Sequence, residues 1–100
     1  TTTTETSAVK EFTIETKNYS FILSEIKVKK GDTVKITLKN SEGFHDLVLD
    51  EFKIATPKLK TAGEEAIIEF IADKVGAFEY YCSVGNHRAM GMKGTLTVEE

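Results

Sequence analysis

Cysteine, proline, tryptophan and long apolar runs are scarce or missing in this sequence, and two of these absences exclude whole classes of protein. The 100 residues include one cysteine, one proline and no tryptophan. A single cysteine cannot form an internal disulfide, an iron–sulfur cluster or a four-thiolate zinc site. No apolar run approaches the roughly 18 residues needed to cross a bilayer, and no basic segment followed by an apolar core begins the chain. We therefore expect a soluble chain that does not insert into a membrane.

An excess of basic residues is also missing. The sequence has 16 acidic residues against 13 lysines and arginines, which gives a formal net charge of −3. Proteins that bind the phosphate backbone carry the opposite balance, so nucleic acid is not an expected partner. A chain of this length buries roughly two-thirds of its unfolded surface, which is enough for one compact domain.

The start of the chain differs in character from the rest. Residues 1–7 are polar and rich in threonine, so they cannot offset their ordering entropy by burial. We expect this segment to be disordered or loosely held, as a tether or a stub left by processing. Residues 8–100 are predicted to form a single domain.

Apolar residues after this segment recur with period two, which is typical of β-strands. Val34, Ile36 and Leu38 share one face of such a run, while lysine and threonine side chains occupy the other. About eight such runs are separated by turn signals, and no segment of helical length shows period 3.6. The pattern predicts an all-β, two-sheet sandwich of about eight strands. Residues 52–63, with the only proline, are the least regular and are compatible with a short helical turn or an edge strand.

Residues with metal-binding side chains concentrate near the C-terminus. Cys82, His87, Met90 and Met92 lie on one predicted strand–loop–strand segment. Thiolate, imidazole and thioether groups are soft or borderline donors that suit copper in both oxidation states. A trigonal copper centre needs a second imidazole, and His45 is the only other histidine. A β-sandwich can bring the loop of His45 to the same end as the Cys82 loop.

Residues 40–50 and 81–98 resemble the two copper loops of cupredoxins, the plastocyanin/azurin group of small blue copper proteins. The resemblance extends from about Val9 onward, and the spacing Cys-x4-His-x4-Met after a loop histidine is its specific signal. It implies a Greek-key sandwich that holds one copper ion, with His45, Cys82 and His87 as equatorial ligands. Met92 is implied as the long axial ligand, and Met90 as a neighbour that does not bind the metal.

The same resemblance implies a function. A cupredoxin carries single electrons by Cu(II)/Cu(I) cycling and is not an enzyme in its own right. Transient redox partners are expected to dock near His87, on a surface of short or apolar residues: Phe44, Val84, Gly85, Ala89 and Met90. Tyr81 is a weaker candidate for a second, more remote electron-transfer point. Kinship also implies a monomer located outside the cytosol, in periplasm, lumen or on the cell surface.

Two residues depart from the family pattern. Asp46 stands where cupredoxins usually carry asparagine, and we expect its carboxylate to accept hydrogen bonds from the Ser83 hydroxyl or from backbone N–H groups. Val84 stands where many members have proline, so its N–H remains free to donate to the Cys82 sulfur, together with the N–H of Asp46. An ionised carboxylate should lower the reduction potential, an effect that fades if burial protonates it, whereas the extra donor should raise the potential. The two departures oppose each other, so the sequence does not predict the net potential.

Other functions fit parts of the same pattern. A copper carrier or storage module would deliver metal rather than electrons, although such proteins tend to be richer in methionine and histidine than this chain. Structural zinc accepts the same cysteine and histidine donors. Thiol catalysis by Cys82 and His87 lacks an evident orienting group. Met92 also fits plain core packing, and Met90 is an alternative axial donor.

Overall fold

A computed structural model describes residues 9–100, which form nine β-strands. The strands are Val9–Lys17 (β1), Ser20–Ile22 (β2), Glu25–Lys29 (β3), Thr33–Asn40 (β4), Val48–Leu49 (β5), Ile54–Ala55 (β6), Glu65–Ile71 (β7), Gly76–Tyr81 (β8) and Lys93–Glu99 (β9). The all-β prediction is confirmed. The expected disorder of residues 1–7 lies outside the described residues, and the single-domain assignment stays a prediction.

Two sheets make up the sandwich. One has the strand order β2-β1-β4-β7 and the other β3-β9-β8-β5-β6. The pairs β1–β4 and β3–β9 are parallel, and the other pairs are antiparallel. The strand beyond the eight predicted is β6, a two-residue edge strand that follows a 3₁₀ turn at Asp50–Phe52. Residues 52–63 thus contain both the end of a helical turn and the edge strand that the sequence allowed.

The core lies between the sheets and follows the period-two pattern. Val34, Ile36 and Leu38 of β4 are fully buried. They pack in one cluster with apolar residues of the facing sheet, among them Ile26, Tyr80, Leu96 and Val98. On the outer face of the first sheet, the register places Lys35 and Lys39 between glutamates of β1 and β7. One buried face and one charged face per strand fix the register.

Both predicted loops meet at one end of the sandwich. β4 ends at Asn40, from which a loop leads to His45, while β8 ends at Tyr81, directly before Cys82. The loop after Cys82 closes where the Cys82 N–H donates to the Met92 carbonyl oxygen at 3.1 Å. The strands therefore fix both ends of the second loop. Within residues 9–100, no helix has the length and apolar character to cross a bilayer.

Candidate metal centre

The structure brings together three of the four predicted donors. The metal-binding atoms of His45, Cys82 and His87 all lie within 4.8 Å of one another. The Cys82 Sγ is 3.8 Å from His45 Nδ1 and 3.5 Å from His87 Nδ1. His45 and Cys82 are fully buried, whereas His87 is half-buried. One sulfur and two nitrogens therefore converge at one place, and of these three residues His87 is the one that reaches the surface.

The two methionines of the second loop point in different directions. Met92 is fully buried, whereas Met90 is 48% exposed. The Met92 N–H donates to the His87 carbonyl oxygen at 3.0 Å, and the Met92 carbonyl accepts from Cys82. These hydrogen bonds tie the backbone of Met92 to two of the predicted metal ligands, His87 and Cys82. The arrangement favours Met92 over Met90 as a fourth donor, and its bond to a metal stays a prediction.

Backbone and side-chain bonds hold the first loop. His45 exchanges two backbone hydrogen bonds with Leu59, with N···O distances of 2.9 and 2.7 Å. The buried Asn40 amide donates to the Gly43 carbonyl at 2.7 Å and to the Thr61 carbonyl at 3.2 Å. Its oxygen accepts from the Thr16 hydroxyl at 2.6 Å. Asn40 therefore anchors the loop to two neighbouring segments, so His45 is held from both sides.

Burial shifts the ionisation of two donors toward their neutral forms. The pKa of His45 is lowered by burial and by the nearby His87, and a hydrogen bond to the Glu42 carbonyl opposes this only in part. The pKa of the Cys82 thiol is raised by burial. The backbone N–H groups of Asp46 and Val84 donate to the sulfur and oppose that rise.

Asp46 links the two loops as the sequence predicts. Its carboxylate accepts from the Ser83 N–H at 2.7 Å and from the Ser83 hydroxyl at 2.6 Å. The Lys58 ammonium lies 3.9 Å from the same carboxylate, which is only 3% exposed. A buried carboxylate thus lies next to His45 with its hydrogen-bonding capacity directed at the Cys82 loop.

Sequence reasoning missed two residues of the β1–β2 turn. The Asn18 Oδ1 lies 3.0 Å from the His45 Nε2, and the Tyr19 ring meets the His87 ring edge-on with 4.8 Å between centroids. Because β1 runs parallel to β4, both strands end at the pole of the metal-binding loops. The parallel pairing was the only signal that could have located these contacts, and periodicity does not reveal it.

Tyr81 points away from the core, as its alternation with Tyr80 and Cys82 predicts. Its hydroxyl donates to the Asp50 carboxylate at 3.0 Å, and the Arg88 guanidinium carbon lies 3.9 Å from its ring centroid. Arg88 also pairs with Glu79. Tyr81 is therefore held in one orientation on the outer face of β8, and its role in electron transfer stays a prediction.

The donor set fits copper. Two imidazoles and one thiol, with a buried thioether-bearing residue on the same loop, form the soft and borderline ligand combination of trigonal copper centres. In the absence of metal the raised pKa keeps the thiol protonated, so binding a cation releases that proton. The fold and the donor set together define a β-sandwich copper protein with a single-ion site.

Comparisons with known proteins agree with this class. Residues 8–99 match the family described as copper binding proteins, plastocyanin/azurin family. Plastocyanin of Scenedesmus fuscus is 33% identical over 87 residues, which cover 76% of this chain and 83% of that protein. The chain belongs to the plastocyanin/azurin family, and its cofactor is copper. The resemblance noted from the two loops is thereby confirmed.

Two further similarities differ in how much of the related protein they cover. Nitrous-oxide reductase of Ralstonia nicotianae is 36% identical over 86 residues, which span 80% of this chain but only 13% of that enzyme. The dithionite-reduced auracyanin of Roseiflexus castenholzii superposes with a TM-score of 0.81 and 25% identity, covering 93% of this chain and 99% of that one. The chain thus matches the whole of one small copper protein and a small part of a large enzyme.

Proposed function

We propose that this protein carries single electrons between redox partners, with His45, Cys82, His87 and Met92 holding the copper. The observation that carries the proposal is the convergence of the two nitrogens and the sulfur within 4.8 Å on loops fixed by backbone hydrogen bonds. Copper bound there supplies one-electron Cu(II)/Cu(I) chemistry. It is also the function that the small family relatives support.

The protein's own contribution is rigidity. Hydrogen bonds keep the metal-binding side chains in place without help from the metal. They join His45 to Leu59, Cys82 to Met92, and Asp46 to Ser83. Because the ligand positions are fixed, little structural rearrangement should accompany the change of copper charge when an electron is gained or lost. The Cys82 sulfur also retains its two backbone N–H donors. These groups stabilise an electron-rich thiolate.

The half-buried His87 marks the proposed contact surface. Phe44, Ala89 and Met90 around it are exposed, and Val84 is half-buried. Tyr19, 43% exposed, extends this surface beyond the residues named from sequence. A small apolar patch suits brief docking of a redox protein. We propose that redox proteins are the partners of this chain and that it binds neither nucleic acid nor a membrane. We also propose that the chain is a monomer.

Catalysis is not part of the proposal. With His45 and Cys82 fully buried, a substrate would have no open approach to the donors through those residues. Nitrous-oxide reductase, the enzyme similar to this chain, matches it over only 13% of the enzyme's length, so most of that enzyme has no counterpart in the matched region. We also propose an extracytoplasmic location, on the family membership alone, which fractionation of the source cells would test.

Electron transfer and metal delivery are separated by one experiment. The copper-loaded protein is cycled repeatedly between ascorbate and ferricyanide in the presence of a chromogenic Cu(I) chelator. Electron transfer predicts a blue absorption that bleaches and returns at full intensity while the chelator stays uncoloured. Loss of copper to the chelator in the first reduction would support delivery instead. A protein that gives no blue colour with Cu(II) and prefers zinc would contradict both.

A further inference from the structure

We propose that Asn18 is a positioning residue that selects the ring tautomer of His45 and so directs its Nδ1 lone pair toward the copper position. The inference rests on the proposed role of His45 as a ligand. It comes from the β1–β2 turn, which nothing in the sequence linked to the site. The Asn18 Oδ1 is 3.0 Å from His45 Nε2, while His45 Nδ1 faces the Cys82 Sγ at 3.8 Å.

The chemistry of the contact fixes the proton. An amide oxygen only accepts hydrogen bonds, so its neighbour Nε2 must carry the hydrogen. A neutral imidazole has one N–H, which leaves Nδ1 as the bare nitrogen on the side of Cys82. Partners of this kind orient metal-binding histidines and raise their basicity.

The surrounding loop is shaped to admit Asn18. Gly43 has φ +85°, and a Cβ at that position would collide with the Asn18 Oδ1 and would lie 2.8 Å from His45 Nε2. The Asn18 N–H donates to the Glu42 carboxylate at 3.0 Å, which holds the turn against the same loop. A side chain at residue 43 would therefore displace the amide from the imidazole.

The alternative to be tested is a reversed Asn18 amide, with its NH₂ group instead of its oxygen facing His45 Nε2. If the Asn18 NH₂ group donated to Nε2, the hydrogen of the ring would sit on Nδ1, where it would block the metal. Aspartate can accept but not donate, so Asn18→Asp separates the two arrangements. Asn18→Leu keeps the approximate volume and removes the acceptor. Asn86→Ala is a matched control, since Asn86 is an exposed residue of the Cys82 loop.

The first measurement is ¹⁵N NMR of the His45 ring in metal-free protein, which is independent of copper. We expect the Nε2–H form in the wild type, in Asn18→Asp and in Asn86→Ala, and a mixture of tautomers in Asn18→Leu. The second is Cu(II) affinity by competition, where Asn18→Leu should bind about tenfold more weakly. Asn86→Ala should stay close to the wild type, and Asn18→Asp should bind at least as tightly, because its negative charge favours a bound cation.

Several results would overturn the inference. An unchanged Nε2–H tautomer with unchanged affinity in Asn18→Leu would show that Asn18 does not select the tautomer. Weaker binding and a changed tautomer in Asn18→Asp, as in Asn18→Leu, would show that the amide donates. Thermal unfolding of each variant separates loss of the turn from loss of the contact. If the wild type bound no copper, the proposed function would fail, while the NMR result would still report on Asn18 and His45.

Discussion

At the scale of single residues, the site combines neutral donors with one buried charge. Burial favours the thiol of Cys82 and the uncharged ring of His45, while the Asp46 carboxylate beside them is directed toward Ser83. Among the ion pairs of residues 9–100, the Asp46 carboxylate has one partner, Lys58, whose side chain is half exposed. The charge of Asp46 is therefore only partly compensated, and it should influence the copper.

Asp46→Asn should raise the reduction potential of the copper site. Removing a negative charge makes Cu(II) less favourable than Cu(I), by an amount on the order of 50 mV. The asparagine amide can still bridge to Ser83, so the loops should stay linked. The measurement is a redox titration followed by the visible absorption.

The control for this titration has the opposite sign. Lys58→Met removes the cation 3.9 Å from Asp46 and should lower the potential. An unchanged potential in Asp46→Asn would show that the carboxylate does not act on the metal. A shift of the same sign in both variants would point to a general disturbance of the loops.

At the scale of elements, the turns at the far end of the sandwich carry their own stabilising contacts. Asp32, between β3 and β4, accepts from the Lys29 N–H and from the Lys10 ammonium, each at 2.9 Å. The carboxylate is only 6% exposed, and the lysine is 42% exposed. This contact joins β1 to the β3–β4 turn at the start of β4, away from the donors.

Stability at low pH should depend on Asp32. The hydrogen bond from Lys10, followed by that from the Lys29 N–H, holds the pKa of Asp32 below its ordinary value. A depressed carboxyl pKa stabilises the fold above the unfolded pKa and loses that effect as the pH falls through the folded one. Asp32→Asn should therefore cost about 1 kcal/mol at pH 7, and this cost should shrink as the pH falls below the unfolded pKa toward the lower folded one.

Urea unfolding of the wild type and of Asp32→Asn across this pH range measures the difference. The copper affinity of the variant should stay unchanged at pH 7, since Asp32 lies at the opposite end of β4 from the loop of His45. A stability difference that is the same at both pH extremes would show that ionisation of Asp32 plays no part.

At the scale of the whole molecule, the sandwich does not need the metal to form its core. Among residues 9–100, eighteen apolar residues from the strands of both sheets and from the loops between them are buried in one cluster, and Cys82 is a small member of it. Such a core should fold in the absence of copper, and copper should then add stability by mass action. Folding and metal binding are therefore expected to be separable.

Cys82→Ser should abolish the blue colour and preserve the fold. Serine is nearly isosteric, and the N–H groups of Asp46 and Val84 remain available to its hydroxyl, so we expect a loss of about 1–2 kcal/mol. The variant should unfold in one cooperative thermal transition. Copper should raise the melting temperature of the wild type and leave that of the variant nearly unchanged. Loss of the cooperative transition would contradict a metal-independent core.

The parts of this molecule that the sequence reveals are those with local signals. Alternation in residues 33–39 predicts β4, and Cys82, His87 and Met92 share one short loop. The Asp46–Ser83 link follows from their places beside two predicted ligands. By contrast, β6 is too short to show a period, and Asn18 and Tyr19 reach the site only through the parallel pairing of β1 and β4. Contacts that depend on long-range pairing leave no local trace.

The decisive measurement is a crystal structure of the protein loaded with one equivalent of Cu(II), with anomalous scattering recorded at the copper edge. We expect one copper atom bonded to the His45 and His87 Nδ1 atoms and to the Cys82 Sγ, with the Met92 sulfur at a longer distance. Copper bound elsewhere, or bound without Cys82 and His45 together, would contradict it.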